Sequence, residues 1–300
     1  MKFFPFSLEA KPVIEEYLNL HNHKLAVYSF ENLYLWKNSY SILCAWQDKS
    51  LCIFFQDKIG VFSYFPPLSK EQHPETIQKV FAWMKQKNRK YPAMSRIENI
   101  EKELLPFYQN LGYECIEKAG DYLCLPDDMA KLSGRRLKSK RGAYNFFINH
   151  HKNFVYRAYN EKDKEACLAL QKEWMEQRQR KNQDTFYLDM LSDSGENLPF
   201  LLDSMPFLSL QGRVVEIENQ IKGFTFGYPI NKDVFCILYE VTDLNKRGLA
   251  QFIFREFSSE LLSYRYINIM DDSYLPNLKK VKLSYHPVDC VISYIAGIKQ

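Results

Sequence analysis

Two periodicities alternate along the chain. Short apolar and aromatic blocks with charged breaks predict strands at Phe3–Phe6, Ser41–Trp46, Leu51–Phe55 and Val61–Phe65, with hairpin turns at Gln47-Asp48-Lys49 and Gln56-Asp57-Lys58. Helices are predicted near Pro12–Leu20 and Glu31–Trp36, and Pro66-Pro67 closes this block. Pro74–Lys87 then carries Ile77, Val80, Phe81 and Met84 at helical spacing, with its proline in the first turn, where no amide is needed. A strand near Met94–Ile97, a helix near Lys102–Asn110 and strands near Tyr113–Glu117 and Tyr122–Leu125 complete the set.

The second half runs through a similar list. A strand at Phe154–Tyr159 leads to a helix at Lys162–Arg178, with Ala166, Leu170 and Trp174 on one stripe, and a further helix is predicted near Thr185–Leu191. Strands follow near Phe207–Leu210, Val214–Ile217, Ile221–Tyr228 and Val234–Tyr239, then a helix at Gly248–Ser263, a strand at Tyr266–Met270, a helix near Leu275–Lys282 and a strand near Val288–Tyr294. The repeated order predicts a mixed α+β chain of two like domains, residues 1–130 and 131–300, each a mostly antiparallel sheet flanked by helices. That order resembles the acyl-CoA N-acyltransferase fold of the GCN5-related N-acetyltransferases (GNAT), here in tandem.

Composition changes this picture little. The 300 residues are 46% hydrophobic and 25% charged, an ordinary globular mixture, and a formal charge of +4 does not by itself imply nucleic acid. No apolar run approaches the ~20 residues that span a bilayer. Cys44, Cys52, Cys115, Cys124, Cys167, Cys236 and Cys290 form no C-x-x-C pair and lie mostly in apolar surroundings, as expected of reduced thiols in a cytoplasmic protein. His21-x-His23 and His150-His151 have no ligand cluster near them, so no metal site is expected. Ser284-Tyr285-His286 lacks the glycines of a nucleophile elbow. Asp127-Asp128 reads as a helix cap.

Charge is concentrated between the halves. In Lys131-Leu-Ser-Gly134-Arg135-Arg136-Leu-Lys138-Ser-Lys140-Arg141 six of eleven residues are cationic and none is acidic. If Leu137–Ile148 is helical, Lys138, Arg141 and Asn145 share one side, and Leu137, Tyr144, Phe147 and Ile148 form the buried one. Two readings stand: a solvated helix face, or a surface on which Lys138, Lys140 and Arg141 meet the phosphates of RNA.

The C-terminal stretch carries the candidate chemistry. Tyr239-Glu240 ends a strand, Asn245-Lys246-Arg247-Gly248-Leu249-Ala250 opens a helix, Asn268-Ile-Met-Asp271-Asp272 ends a second strand, and Lys282-Leu-Ser-Tyr285-His286-Pro287 follows. Together with Tyr28-Ser-Phe30-Glu-Asn32-Leu-Tyr34-Leu-Trp36, Asp121-Tyr122-Leu123 and Leu132-Ser-Gly134-Arg135-Arg136, this resembles the family built around the C-terminal catalytic domain of bacterial phosphatidylglycerol lysyltransferases. The basic helix running into a new strand is also similar to the junction in Fem-type peptidoglycan aminoacyltransferases.

The resemblance implies transfer of an activated acyl or aminoacyl group, with aminoacyl-tRNA as donor, to an amine or hydroxyl on a small molecule, lipid or peptide. An activated ester needs positioning, oxyanion stabilisation and a proton acceptor. Asp271 and Asp272 are placed to hold a cationic amino acid, Glu240 is a further carboxylate at a strand end, and Lys282 suits a phosphate or developing oxyanion. Family members commonly carry Asn-Arg-Glu-x-Asp, a nearby glycine and a Leu-Arg pair. This chain has Asn268-Ile269-Met270-Asp271-Asp272, then Tyr274 and Leu278-Lys279: the last Asp and the later Lys match, while the Arg, the Glu, the glycine and the second Arg do not. Lysine in place of arginine gives up bidentate recognition.

Two alternatives remain. Acetyltransferases of this fold bind acyl-CoA through a Gln/Arg-x-x-Gly-x-Gly/Ala turn whose amides meet pyrophosphate. Lys246, Arg247, Gly248 and Ala250 match it except at the first position, and a plain helix-entry turn explains them as well. The other alternative is a non-catalytic binding protein that retains the fold.

Overall fold

A computed structural model of the chain describes residues 1–180 and 184–298, and for residues 186, 193 and 194 the backbone alone. The chain forms two compact units: Met1–Gly120 joined by the last stretch from Val291, and Asp121–Cys290. The division therefore falls ten residues before the expected one, after Gly120 instead of residue 130, and the final strand lies with the first unit.

The first unit contains β1 (Lys2–Pro5), α1 (Lys11–Leu18), α2 (Phe30–Leu35), β2 (Ser41–Gln47), β3 (Ser50–Gln56), β4 (Val61–Ser63), α3 (Pro74–Lys87), β5 (Ile97–Glu101), α4 (Leu105–Asn110) and the start of β6 (Glu114–Cys124). The second contains the end of β6, then α5 (Pro126–Lys131), α6 (Lys138–His150), β7 (Phe154–Ala158), α7 (Lys164–Gln179), α8 (Thr185–Ser204), β8 (Gln211–Ile217), β9 (Gln220–Pro229), β10 (Val234–Thr242), α9 (Leu249–Glu260), β11 (Tyr266–Asn268) and α10 (Pro276–Leu283). The last strand is β12 (Asp289–Gly297).

Each unit repeats one pairing scheme. In the first, β1, β2, β3 and β4 pair antiparallel in turn, β4 pairs parallel with β5, and β12 pairs antiparallel with β5. In the second, β7, β8, β9 and β10 pair antiparallel, β10 pairs parallel with β11, and β6 pairs antiparallel with β11. This is the expected mixed α+β architecture of mostly antiparallel strands flanked by helices, as in a tandem GNAT-like fold, but the strands belong to one twelve-stranded sheet instead of the two expected. In both units the sixth strand is contributed from a distant part of the sequence, since β12 follows the second unit and β6 precedes it.

The local reasons are ordinary. α3 buries Ile77, Val80, Phe81 and Met84 against Ala45, Phe54 and Ile97, and Ala296 of β12 belongs to the same core. α9 turns Phe254, Phe257 and Leu261 onto Phe235, Ile237 and Ile267. The first hairpin closes over Asp48 at φ 56, and the second is held by Asp57 Oδ1, which accepts the amides of Ile59 and Gly60.

Several elements differ from expectation. Phe207–Leu210 is not a strand: Met205–Phe207 forms a short 3-10 turn, consistent with Pro206 having no amide for a ladder. The strand expected at Met94–Ile97 starts at Ile97, because Pro92–Met94 is another such turn. Tyr113–Glu117 and Tyr122–Leu125 are one strand, β6, with Gly120 inside it. The helix from Thr185 continues to Ser204 through Pro199. Asp127 and Asp128 lie in the first turn of α5 instead of capping it; the N-cap is Leu125. Among the described residues no helix is long and apolar enough to cross a membrane.

Candidate functional site

The site is built where a parallel strand pair stops early. Val234 pairs with Tyr266, Phe235 with Ile267 and Cys236 with Asn268, and there β11 ends. β10 continues to Thr242, with a register irregularity between Ile237 and Tyr239. Residues 237–242 therefore run past the last β11 pair for about 20 Å of extended backbone. β10 has no ladder partner on β11 along that length.

Glu240 stands in this extension, half-buried. Burial pushes its carboxyl up to about 8, against the opposing charge of Lys140. Lys140, in the first turn of α6, is half-buried too, and burial draws its amine below the ordinary lysine range while Glu240 acts the other way. Lys140 Nζ lies 3.7 Å from the centroid of the Tyr285 ring, a cation–π contact. Tyr285 is buried against Phe254 at 4.5 Å and hydrogen-bonds Gln251 of α9, and burial raises its hydroxyl well above the usual phenol range. β10, α6 and the turn after α10 thus meet around one carboxyl that burial raises toward working pH, the property a general acid or base needs.

A second group surrounds the turn from β11 to α10. Three side chains fold that turn on themselves: Asn268 Oδ1 accepts the Met270 amide at 2.6 Å, Asp271 Oδ1 the Ser273 amide at 2.6 Å and Asp272 Oδ1 the Tyr274 amide at 2.9 Å. Such local bonds allow Met270, Ser273 and Tyr274 to take positive φ. Asp272 is buried, and its Oδ2 accepts the Tyr122 hydroxyl at 2.7 Å. Burial, and then Asp272, raise the Tyr122 hydroxyl far above the ordinary phenol range. Asn268 Nδ2 donates to Asp121 Oδ2 at 2.7 Å, also buried. Lys282 sends its amine from α10 to the Ile269 carbonyl. Burial lowers the Lys282 amine, while Asp271, Asp121 and Asp272 oppose that shift. This group is an acidic wall braced by a lysine, and Asp271 is its more exposed carboxylate.

The helix-entry turn forms a third group. Asp243 Oδ1 accepts the Asn245 amide, and the Lys246 and Leu249 amides close further turns. Gly248 has φ +85, and a Cβ there would lie 2.2 Å from the Ala143 carbonyl oxygen. The glycine is therefore needed for the close approach of α6 to the start of α9. Arg247 is exposed, its guanidinium 4.4 Å from the Phe146 ring centroid, and Ala250 lies in the first turn of α9.

The expected phosphate-binding cations have different surroundings. Lys138 is exposed. Arg141 turns inward, donating to the carbonyls of Leu132 and Gly134 (3.1 Å to the latter), where it closes the end of α5. Lys140 joins Glu240 as described. Sequence reasoning gave no role to Tyr122, Asp121, Asn268, Tyr285 and Gln251. All but Gln251 stood in stretches that carried the family resemblance, and what each touches depends on segments far away in the chain.

Comparison with known proteins places the chain in a family. Residues 19–297 match the family model described as phosphatidylglycerol lysyltransferase, C-terminal. A conserved protein of unknown function from Bacteroides thetaiotaomicron is 24% identical, with 99% of each chain covered and a TM-score of 0.88. The structure of L-PGS from Bacillus licheniformis is 15% identical, covers 96% of this chain and 92% of its own, and gives a TM-score of 0.66. A tandem GNAT protein from the clavulanic acid biosynthesis pathway is 9% identical, with 100% and 99% covered and a TM-score of 0.53. No curated protein matches the sequence. With the family match spanning nearly the whole chain and the same fold in these structures, the chain belongs to the phosphatidylglycerol lysyltransferase C-terminal domain family.

Proposed function

We propose that this chain passes an activated acyl or aminoacyl group to an amine or hydroxyl acceptor beside residues 237–242 of β10, in the cytoplasm. The observation that carries the reading is Glu240, a carboxyl raised to about 8 in the part of β10 that β11 leaves uncovered. Its carboxylate takes the proton of the attacking amine or hydroxyl as the new bond to the donor carbonyl carbon forms. It returns that proton to the departing oxygen or sulfur as the old bond breaks. Lys140, beside it, stabilises the deprotonated form. Asp271 and Asp272 suit the ammonium of an aminoacyl group, and Lys282 supports the turn that carries them. Aminoacyl-tRNA is the donor we favour, because Gly248 is accounted for by its contact with α6. Acyl-CoA is the second reading, supported by the exposed Arg247 at the start of α9.

The test is single-turnover transfer from radiolabelled lysyl-tRNA and from acetyl-CoA to amine and hydroxyl acceptors. Transfer from lysyl-tRNA is expected, rising with pH through about 8. Glu240→Gln should lower it by roughly 10²-fold or more. Transfer from acetyl-CoA alone would replace the donor, and no transfer from either would leave a binding protein on this fold.

A further inference from the structure

We infer that the cleft between the start of α7 and the β8–β9 hairpin is a separate small-molecule site, for a zwitterion of amino-acid or dipeptide size with an aliphatic side chain. The cleft has a volume of about 400 Å³, within the range of ligand pockets. Its walls all belong to the unit of Asp121–Cys290, and it shares no residue with the group around Glu240 or the turn of Asp271 and Asp272.

The cleft exists because two neighbouring surfaces leave a gap between them. On α7, Ala166 and Ala169 border it and stand exposed, too small to fill it, while Cys167, Leu170 and Gln171 are buried. On the sheet, Val215 pairs with Gly223 and Glu216 with Ile221, so Lys222 is the extra residue of a β-bulge. A bulge re-aims a side chain, and Ile221 and Lys222 both line the cleft.

Its acidic wall is held still. Arg157 donates from Nη1 and Nη2 to Asp163 at 2.6 and 2.8 Å, and from Nη2 to Glu216 at 2.8 Å. Asp163 also accepts the Asn160 amide at 2.9 Å. Burial opposes ionisation there, yet these bonds hold the Asp163 carboxyl below the ordinary carboxylate range. The Asp163 side chain is 8% exposed, whereas that of Glu216 is 30% exposed and open to a ligand.

Charge and apolarity together select the ligand. Glu216 suits an ammonium, the Lys222 amine suits a carboxylate, and Ala166, Ala169, Leu170 and Ile221 offer aliphatic surface to a hydrocarbon side chain. An α-amino acid or a dipeptide carries all three groups, whereas a metal ion or a phosphate would use charge of one sign. Lys222 also ties the cleft to the entry of α9. Its Nζ lies 3.4 Å from Asp243 Oδ2, and the other oxygen of Asp243 accepts the Asn245 amide at 2.9 Å. A carboxylate that draws Lys222 away is therefore felt at that amide.

The experiment follows the backbone amides of the intact chain by nuclear magnetic resonance during titration with L-leucine and with L-leucyl-L-leucine. N-acetyl-L-leucine and isoamylamine, which keep the side chain and one charge each, are the controls. No acyl or aminoacyl donor is present, so the outcome is separate from that of the transfer assay. Saturable shifts at residues 162–173 and 216–222 and at the Asn245 amide are expected with a zwitterion, and the tighter of the two identifies free amino acid or dipeptide as the source. Lys222→Gln should weaken binding roughly tenfold. Ala169→Phe, which fills the cleft from an exposed helix position, should abolish the shifts with the melting temperature unchanged. No shifts, shifts that do not saturate, equal shifts with the controls, shifts centred on Glu240 or on residues 271–274, or binding kept by Ala169→Phe would each overturn the proposal.

Discussion

Glu240 illustrates how one side chain acquires an unusual titration from its surroundings. Its folded value near 8 lies above the ordinary 4.5, so between those values the native state holds a proton that the unfolded chain has released. The native state binds more protons in that window, and stability contributed by the protonated form is lost as pH rises through it. Melting temperature measured from about pH 5 to about pH 8 should therefore fall in the wild type relative to Glu240→Gln. Parallel curves for the two proteins would remove Glu240 from the role of a raised acid. Tyr122 offers a different test. Its bond to the buried Asp272 carboxylate is charge-assisted, so Tyr122→Phe should cost about 1.5–3 kcal/mol in urea unfolding. A change under about 0.5 kcal/mol would mean that water replaces the hydroxyl.

Among the elements, α6 and α9 show where sequence reading succeeds and where it stops. The apolar stripe of α6 was legible, and Leu137 and Phe147 are buried, with Tyr144 packed beside them. Gly248 was also legible as a helix entry. Its partner was not, because the Ala143 carbonyl that crowds it lies a hundred residues away in sequence. Gly248→Ala combines a left-handed φ, costing roughly 1–2 kcal/mol, with overlap against backbone. It should lower the melting temperature with no ligand present. Unchanged stability with lost coenzyme A affinity would instead assign the glycine to a donor. Arg141 carries the same lesson, since helical spacing put it with Lys138 while the end of α5 offered it two carbonyls.

At the scale of the whole molecule, the repeated list of elements was readable because each relies on local periodicity. The strand that completes each unit was not. Ser293 pairs with Glu101, Tyr294 with Ile100 and Ala296 with Ile97, so the end of the chain finishes the first unit. Stopping the chain after Cys290 should expose amides of Ile97–Glu101 to hydrogen exchange, while β8 and β9 keep their protection. Uniform loss in both units would instead mean that they unfold as one.

The amino-acid sequence by itself determined the succession of helices and strands, the likeness of the two halves, the family and the acidic C-terminal stretch. Each follows from patterns within short windows of chain. Only the tertiary structure decided which carboxyl is raised, which cation is committed to packing and which strand completes which unit. Burial and pairing depend on segments far apart in sequence, and the titration of Glu240 beside Lys140 exists only once β10 and α6 have met.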